Sequence, residues 1–146
     1  EIAFDNLCRR LEMQLTSAHE QHARLNFDSG SLPPMLVSTD PEMVAQLLEA
    51  LVSNGLKFSE GTVTIEARLN EGVMRFVVRD EGFGVLADEQ EAIFDLLVRG
   101  SIGETRRGLG IGLYIARSVA SMLNGTLEVR SAGADQGATF TLQLPV

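Results

Sequence analysis

Apolar residues recur at helical spacing in three stretches of the chain, and each stretch predicts an amphipathic helix. The first covers residues 5–20. The second covers residues 40–58, where Asp40 stands at the N-cap position directly before a proline. The third covers residues 113–123, and Gly125 marks its expected end.

Alternation of apolar and polar residues predicts strands between these helices. The clearest case is a hairpin of residues 63–69 and 73–80, joined by a turn at Asn70-Glu71-Gly72. Further strands are expected at residues 23–28, 35–38, 126–131 and 138–145. This order of elements predicts an α+β fold, a two-layer α/β sandwich with a mostly antiparallel sheet and helices on one face.

Residues 81–111 interrupt this pattern, because they are rich in glycine and contain few strand formers. One short helix is expected there, beginning near Asp88. A connection of this length is typical of a functional loop. The 146 residues contain neither an internal repeat nor a low-complexity linker, so we expect one domain over residues 1–146.

Charge and composition exclude several classes of protein. A net charge of −8 argues against nucleic acid as a partner, because binding it requires an excess of Lys and Arg. Cys8 is the only cysteine, which excludes an intrachain disulfide and a Cys-rich zinc site. The sequence contains no apolar run of the roughly 20 residues that cross a bilayer and no signal peptide. These features predict a cytoplasmic domain and leave open a membrane anchor outside these residues.

The second predicted helix carries the first candidate site. At about 100° per residue, Ala50, Asn54 and Lys57 lie together on one flank of its apolar stripe. An amide and an ammonium group side by side at the edge of a core suit a metal ion and a phosphate. A solvated helix flank is the alternative interpretation of the same residues.

The second candidate site is the segment Asp80-Glu81-Gly82-Phe83-Gly84. Asp80 has the inward parity of its strand, and a carboxylate facing the core needs a partner, such as the amino group of adenine. Gly82 and Gly84 allow the backbone to turn tightly and to approach a ligand. An ordinary Asp-Gly turn is the alternative.

A third candidate site is a glycine-rich segment that leads directly into the third helix. Backbone N–H groups at a helix N-terminus bind anions, and Arg106 and Arg107 precede this segment. Its spacing matches neither a Walker A loop nor a dinucleotide-binding fingerprint, and a flexible linker is the alternative. The residues concerned are Gly108, Leu109, Gly110, Ile111, Gly112 and Leu113.

Taken together, these motifs resemble the nucleotide-binding module of sensor histidine kinases, which belongs to the superfamily of gyrase, mismatch-repair and heat-shock-chaperone ATPases with a Bergerat-type fold. The resemblance extends from about Phe4 to Val146. The family's N box, first glycine box, F box, second glycine box and closing motif correspond to residues 51–59, 80–84, 93–95, 108–113 and 137–145.

The resemblance implies ATP and Mg²⁺ as cofactors and assigns roles to individual residues. Asn54 would coordinate Mg²⁺, Lys57 would approach the phosphates, and Phe58 would pack near the base. Asp80 would accept a hydrogen bond from the adenine amino group, supported through water by Thr139. In-line transfer of the γ-phosphoryl group to a histidine would follow, with Asn54 and Lys57 as catalytic residues.

The glycines have implied roles as well. Gly82 and Gly84 would frame the base pocket, and residues 86–107 would form the ATP lid. The remaining nucleotide-binding residues would border the triphosphate: Arg106, Arg107, Gly108, Leu109, Gly110, Ile111, Gly112 and Leu113.

The chain departs from the family pattern at Ala50, where a second asparagine is usual and where the related ATPases carry their water-activating glutamate. Ala50 therefore argues against a gyrase-like hydrolase and predicts weakened or lost Mg²⁺–ATP binding. Glu49 lies about 100° further round the helix and is a poor substitute. Leu97 replaces a second phenylalanine of the F box, a minor difference.

The phosphoacceptor histidine is expected outside these residues. His19-Glu20 resembles the start of the acceptor motif, but the sequence that should follow is absent. The implied partners are the dimerisation and phosphotransfer helices of the same kinase and a downstream response regulator. Two alternatives remain: a regulatory scaffold with weak nucleotide binding, and a serine kinase of the anti-sigma type.

Overall fold

A computed structural model describes residues 1–19, 24–85, 89–94 and 111–146. The described part contains three α-helices: α1 (Phe4–Ala18), α2 (Pro41–Phe58) and α3 (Ile111–Met122). Its strands are β1 (Ile2–Ala3), β2 (Leu25–Asp28), β3 (Leu36–Val37), β4 (Val63–Asn70), β5 (Val73–Asp80), β6 (Thr126–Arg130) and β7 (Ala138–Pro145). In this part of the chain, no helix has the length and hydrophobicity to cross a bilayer.

Five of these strands form one mixed sheet in the order β2-β4-β5-β7-β6. Strands β2 and β4 are parallel, and the other neighbours are antiparallel. The predicted hairpins β4–β5 and β6–β7 are confirmed, as is the two-layer sandwich with helices on one face. A small second sheet pairs β1 with β3, and the pairing of Ile2-Ala3 was not predicted.

The core lies between the helices and one face of the large sheet. Alternate residues of β5 point into it, and Met74, Phe76 and Val78 are buried there. The opposite face carries exposed side chains such as Arg75 and Arg79. This division follows from the two-residue period of a strand and is what the alternating sequence predicted.

Helix α2 begins as the sequence predicted. The side chain of Asp40 accepts hydrogen bonds from the backbone N–H groups of Glu42, at 3.0 Å, and Met43, at 3.3 Å. Two N–H groups that have no partner within the helix are thereby satisfied. The helix ends at Phe58, and Ser59 takes an extended conformation.

The end of α3 differs in detail from the prediction. Asn124, not Gly125, adopts the left-handed conformation, with φ of 59°. The N–H groups of Gly125 and Asn124 donate to the carbonyls of Ala120 and Ser121, which is a Schellman motif. Position 125 requires glycine for another reason, because a Cβ atom there would lie 2.3 Å from the carbonyl oxygen of Gln143 on β7.

The glycine-rich connection is described only in part. A 3-10 helix is present at Ala92–Phe94, whereas Asp88, where a short helix was expected to begin, lies outside the described residues. Of the predicted lid, residues 89–94 are described. Ile93 and Phe94 are buried in the core, so this part of the connection is anchored to the domain.

Candidate functional site

Asp80 occupies the end of β5, on the side of the sheet that faces the helices. Its Oδ1 atom accepts hydrogen bonds from the N–H groups of Gly82, at 2.9 Å, and Ala138, at 3.2 Å. Within the described part of the chain, Oδ2 has no hydrogen-bond partner, and it retains contact with solvent. The carboxylate is therefore held in one orientation through Oδ1, and Oδ2 is available to accept a further hydrogen bond.

Burial raises the pKa of the Asp80 carboxyl above its usual value, because removal of water disfavours the charged form. The two backbone N–H groups oppose this shift by stabilising the anion. Desolvation is the larger effect. A partly desolvated carboxylate with one unsatisfied oxygen binds strongly to a hydrogen-bond donor, because water competes poorly there.

Three close backbone contacts surround Asp80 and require glycine. A Cβ atom on Gly82 would lie 2.1 Å from the carbonyl oxygen of Phe58, and one on Gly137 would lie 2.2 Å from that of Asp80. Gly84 has φ of +72°, and a Cβ atom there would lie 2.0 Å from the oxygen of Gly133. The predicted need for glycine at positions 82 and 84 thus has a steric cause.

Ser131 connects the glycine segment after β5 to the loop before β7. Its hydroxyl accepts from the N–H of Val85 at 3.0 Å and donates to the carbonyl of Gly137 at 2.7 Å. No sequence motif pointed to this residue. A serine directly after a strand carries no distinctive signal, and its partner Val85 is far away in the sequence.

The last turns of α2 lie against the end of β5. A Cβ atom on Gly55 would lie 3.4 Å from the Cβ atom of Asp80, which measures how closely the helix approaches the strand. Asn54 is half-buried and Lys57 is exposed, and neither side chain forms a hydrogen bond or ion pair with another described residue. Phe58 packs edge-on against Phe83, with 6.3 Å between ring centroids.

Glu49 is engaged elsewhere. Its Oε2 atom lies 2.7 Å from Nε2 of His19 at the end of α1. The prediction that Glu49 faces away from Asn54 is therefore confirmed. Ala50 is half-buried and packs against the core, so no carboxylate or amide takes the place one turn before Asn54.

The N-terminus of α3 supplies the remaining described residues of the predicted site. Gly112 is exposed, and among the described residues outside its own helical turn a Cβ atom there would meet no atom within 4 Å. Leu113 is partly buried against the core. Arg106, Arg107, Gly108, Leu109, Gly110 and the side chain of Ile111 lie outside the described residues.

Thr139 does not lie with Asp80. In the register of β5 and β7, Asp80 is opposite Ala138 and Arg79 is opposite Thr139. Residues that are opposite each other in an antiparallel pair share a face, so Thr139 is on the outer face with Arg79. The prediction that Thr139 supports Asp80 through water is wrong, because a shift of one residue along a strand reverses the face.

Arg117 on α3 holds the 3-10 helix in place. Its Nη1 atom lies 2.9 Å from Oε2 of Glu91, and its guanidinium group lies 4.4 Å from the ring centroid of Phe94. The Arg117 guanidinium lowers the pKa of the Glu91 carboxyl. Phe94 in turn packs edge-on against Phe140 of β7, so the segment resembling the F box is tied to both layers of the domain.

Comparison with known proteins agrees with this geometry. Residues 39–146 match the family described as histidine kinase-, DNA gyrase B- and HSP90-like ATPases. The aerobic respiration control sensor protein ArcB of Escherichia coli is 36% identical over 98% of this chain and 19% of its own length. The sensor histidine kinase YkoH of Bacillus subtilis is 32% identical over 92% of this chain and 29% of its own length.

Solved structures show the same fold. Full-length ShkA in complex with AMPPNP has a TM-score of 0.76 and 27% identity, over 99% of this chain and 30% of that chain. The catalytic domain of the histidine kinase ThkA has a TM-score of 0.77 at 19% identity, over 99% and 93% of the two chains. This chain spans about a fifth of the length of ArcB. From the family match and the shared fold together, the chain belongs to the histidine kinase-, DNA gyrase B- and HSP90-like ATPases, and its sequence relatives are sensor histidine kinases.

Proposed function

We propose that this domain binds Mg²⁺–ATP and transfers the γ-phosphoryl group to a histidine on a separate dimerisation domain, in two-component signalling. The observation that carries the proposal is the Asp80 carboxylate, with Oδ1 fixed by two backbone N–H groups and Oδ2 without a partner among the described residues. An oxygen in this setting suits the amino group of adenine. ShkA, a structural relative, is solved with the ATP analogue AMPPNP.

The other residues would act by position and charge. Phe58 and Phe83 offer apolar surface beside the carboxylate for the base. Lys57, one turn beyond Asn54, is exposed and presents its ammonium group to phosphates. Catalysis of phosphoryl transfer is mainly positioning and electrostatic stabilisation, so no covalent role is needed from the chain.

Asn54 is the residue that would hold Mg²⁺. Its amide oxygen is a suitable hard ligand, and Mg²⁺ usually binds few protein groups together with substrate phosphates. The described residues contain no cluster of three or more His, Cys, Asp or Glu side chains that could hold a metal. Bound Mg²⁺ would neutralise charge that develops on the phosphates, and Ala50 leaves no second amide one turn before Asn54.

The partners of the reaction follow from the same proposal. A phosphoacceptor helix and a response regulator would lie outside this chain, which covers 19% to 29% of ArcB and YkoH. His19 is not proposed as the acceptor, since it is mostly buried and contacts Glu49 of α2. A buried side chain that pairs within the domain is poorly placed to receive a phosphoryl group.

Calorimetric titration with a non-hydrolysable ATP analogue, with and without Mg²⁺, tests the proposal. We expect micromolar affinity, which corresponds to about −8 kcal/mol, and tighter binding with Mg²⁺. Asp80→Asn should weaken binding by roughly ten- to a hundredfold, because a charge-assisted hydrogen bond contributes about 1.5–3 kcal/mol. Glu81→Gln changes the exposed neighbouring carboxylate and should leave the affinity unchanged.

Ala50 determines how a negative result is interpreted. Failure to bind at millimolar nucleotide would contradict the proposal and favour a regulatory scaffold that keeps the fold. Ala50→Asn would then show whether the missing amide is the cause. Equal affinity of the Asp80→Asn variant and the unchanged protein would instead contradict the assignment of Asp80 to adenine.

A further inference from the structure

The C-terminus of α2, which carries Asn54, Lys57 and Phe58, has an unusual set of partners. Arg24, immediately before β2, directs its guanidinium group at three backbone carbonyls there. Nε donates to Gly61 at 2.9 Å, Nη1 to Leu56 at 3.4 Å, and Nη2 to Ser59. The last carbonyls of a helix have no partner within it, and a cation at that end also interacts favourably with the negative end of the helix dipole.

A second contact connects this helix end to the segment that contains Asp80. Ser59 is the buried polar side chain of the described core, and its Oγ accepts from the N–H groups of Gly61, at 3.2 Å, and Glu81, at 3.3 Å. Glu81 is the residue between Asp80 and Gly82. The turn of residues 59–61 therefore binds Arg24 on one side and the end of β5 on the other.

The end of α2 packs tightly against the segment that follows β5. Gly82 is so close to α2 that a Cβ atom on it would lie 2.1 Å from the Phe58 carbonyl oxygen. A small displacement of the helix end would therefore move the N–H of Gly82, which donates to Oδ1 of Asp80. The same displacement would also move Lys57 and Phe58, which belong to the last helical turn.

We infer that Arg24 is a positioning residue for the nucleotide site, acting through the turn of residues 59–61. The guanidinium group sets the position of the α2 end relative to β5, and so sets the distance between the phosphate-binding and base-binding halves of the site. Arg24 does not touch the ligand in this account. The inference rests on the proposed function for its effect on ATP, but the effect on the Asp80 segment is independent of it.

The chain offers a matched control in Arg68. Its guanidinium group also binds backbone carbonyls at the β2–β4 pair, those of Asp28 at 3.1 Å and Ala67 at 2.9 Å. It lies near the other end of that strand pair, since Asp28 is the last residue of β2 and Arg24 precedes the first. Arg68→Gln therefore removes a comparable set of hydrogen bonds without touching α2.

The first measurement is titration of Arg24→Gln, Arg24→Lys and Arg68→Gln with the ATP analogue. We expect Arg24→Gln to raise Kd about tenfold with an unchanged number of sites, because misplacement of binding groups weakens each molecule's affinity. Arg24→Lys keeps the charge but not the planar set of donors, so its Kd should lie between those of the unchanged protein and Arg24→Gln. A loss of sites at constant Kd, or an equal effect of Arg68→Gln, would overturn the inference.

The second measurement needs no nucleotide. Amide hydrogen exchange at Glu81 and Gly82 should become at least several-fold faster in Arg24→Gln and stay unchanged in Arg68→Gln. Unchanged exchange at both amides would overturn the inference even if ATP binds as proposed. If the unchanged protein binds no ATP, the proposed function fails, and exchange at Glu81 still decides whether Arg24 positions this segment.

Discussion

At the scale of single residues, the proposed site contains groups that are suited to a ligand and stabilise the fold poorly. Asp80 is the clearest example, because its carboxylate is partly desolvated and has only one oxygen satisfied. Burial also raises the pKa of the Cys8 thiol, to about 12, and there it keeps the group protonated and unreactive. The loss of stability caused by burying the Asp80 carboxylate should be measurable as a dependence of stability on pH.

The raised pKa of Asp80 predicts the sign of that dependence. The folded protein holds the proton to higher pH than the unfolded chain, so the free energy of unfolding falls as pH rises through the folded pKa. Asp80→Asn keeps an oxygen acceptor for the two N–H groups and removes the charge. We therefore expect the variant to be at least as stable as the unchanged protein at pH 7. The difference should shrink as the pH falls below 3.8, the usual pKa of an aspartate.

Thermal unfolding of both proteins between pH 3 and pH 8 measures this effect. Other carboxylates titrate in the same range, so the quantity to compare is the difference between the two curves. Glu81→Gln serves as the control for loss of a nearby exposed charge. A variant that is clearly less stable at pH 7 than at pH 3, relative to the unchanged protein, would contradict the prediction.

At the scale of elements, helix α2 organises the site, and its two ends are held in different ways. The N-terminus is capped locally by Asp40, two and three residues from its partners. The C-terminus is held by Arg24, more than thirty positions away in sequence. Local caps are visible in a sequence, whereas long-range ones are not.

Loss of the local cap has a defined cost. Asp40→Ala should lower the free energy of unfolding by about 1 kcal/mol, because two N–H groups lose their acceptor. Asp40→Asn keeps the acceptor oxygen and should cost much less. Urea unfolding at pH 7 gives both values, and an equal loss in the two variants would show that the charge, not the cap, matters here.

At the scale of the whole molecule, the site exists only where three elements meet: α2, the end of β5 and the start of β7. Gly82 lies at this meeting point, in contact with the Phe58 carbonyl and bonded through its own carbonyl to the N–H of Gly137. The closeness of the elements is thus a property of the assembled fold. It makes the position intolerant of any side chain.

Gly82→Ala should destabilise the domain by about 1–3 kcal/mol, because its Cβ would overlap a backbone oxygen that cannot move without displacing α2. It should also weaken binding of the ATP analogue. Gly112→Ala is the control for stability, since its Cβ would meet no atom within 4 Å in the described structure beyond its own helical turn. Thermal unfolding measures the stability of both variants. A Gly82→Ala protein as stable as the unchanged protein would contradict the close approach of Gly82 to the Phe58 carbonyl.

The sequence by itself determined the helices and strands, the face of the sheet on which Asp80 lies, and the family. Hydrophobic periods of 3.6 and 2 predicted the helices and the two hairpins, and Asp40-Pro41 predicted the start of α2, because these signals act between near neighbours. The inward parity of Asp80 followed from the same counting. The ordered motifs also led to the correct family.

Only the tertiary structure decided which groups meet. It placed Thr139 on the outer face, because the register with β5 pairs it with Arg79. It also brought Arg24 to the end of α2 and Ser131 to the backbone N–H of Val85. Contacts of this kind join residues far apart in the chain and depend on sheet order and helix packing, which no local pattern encodes.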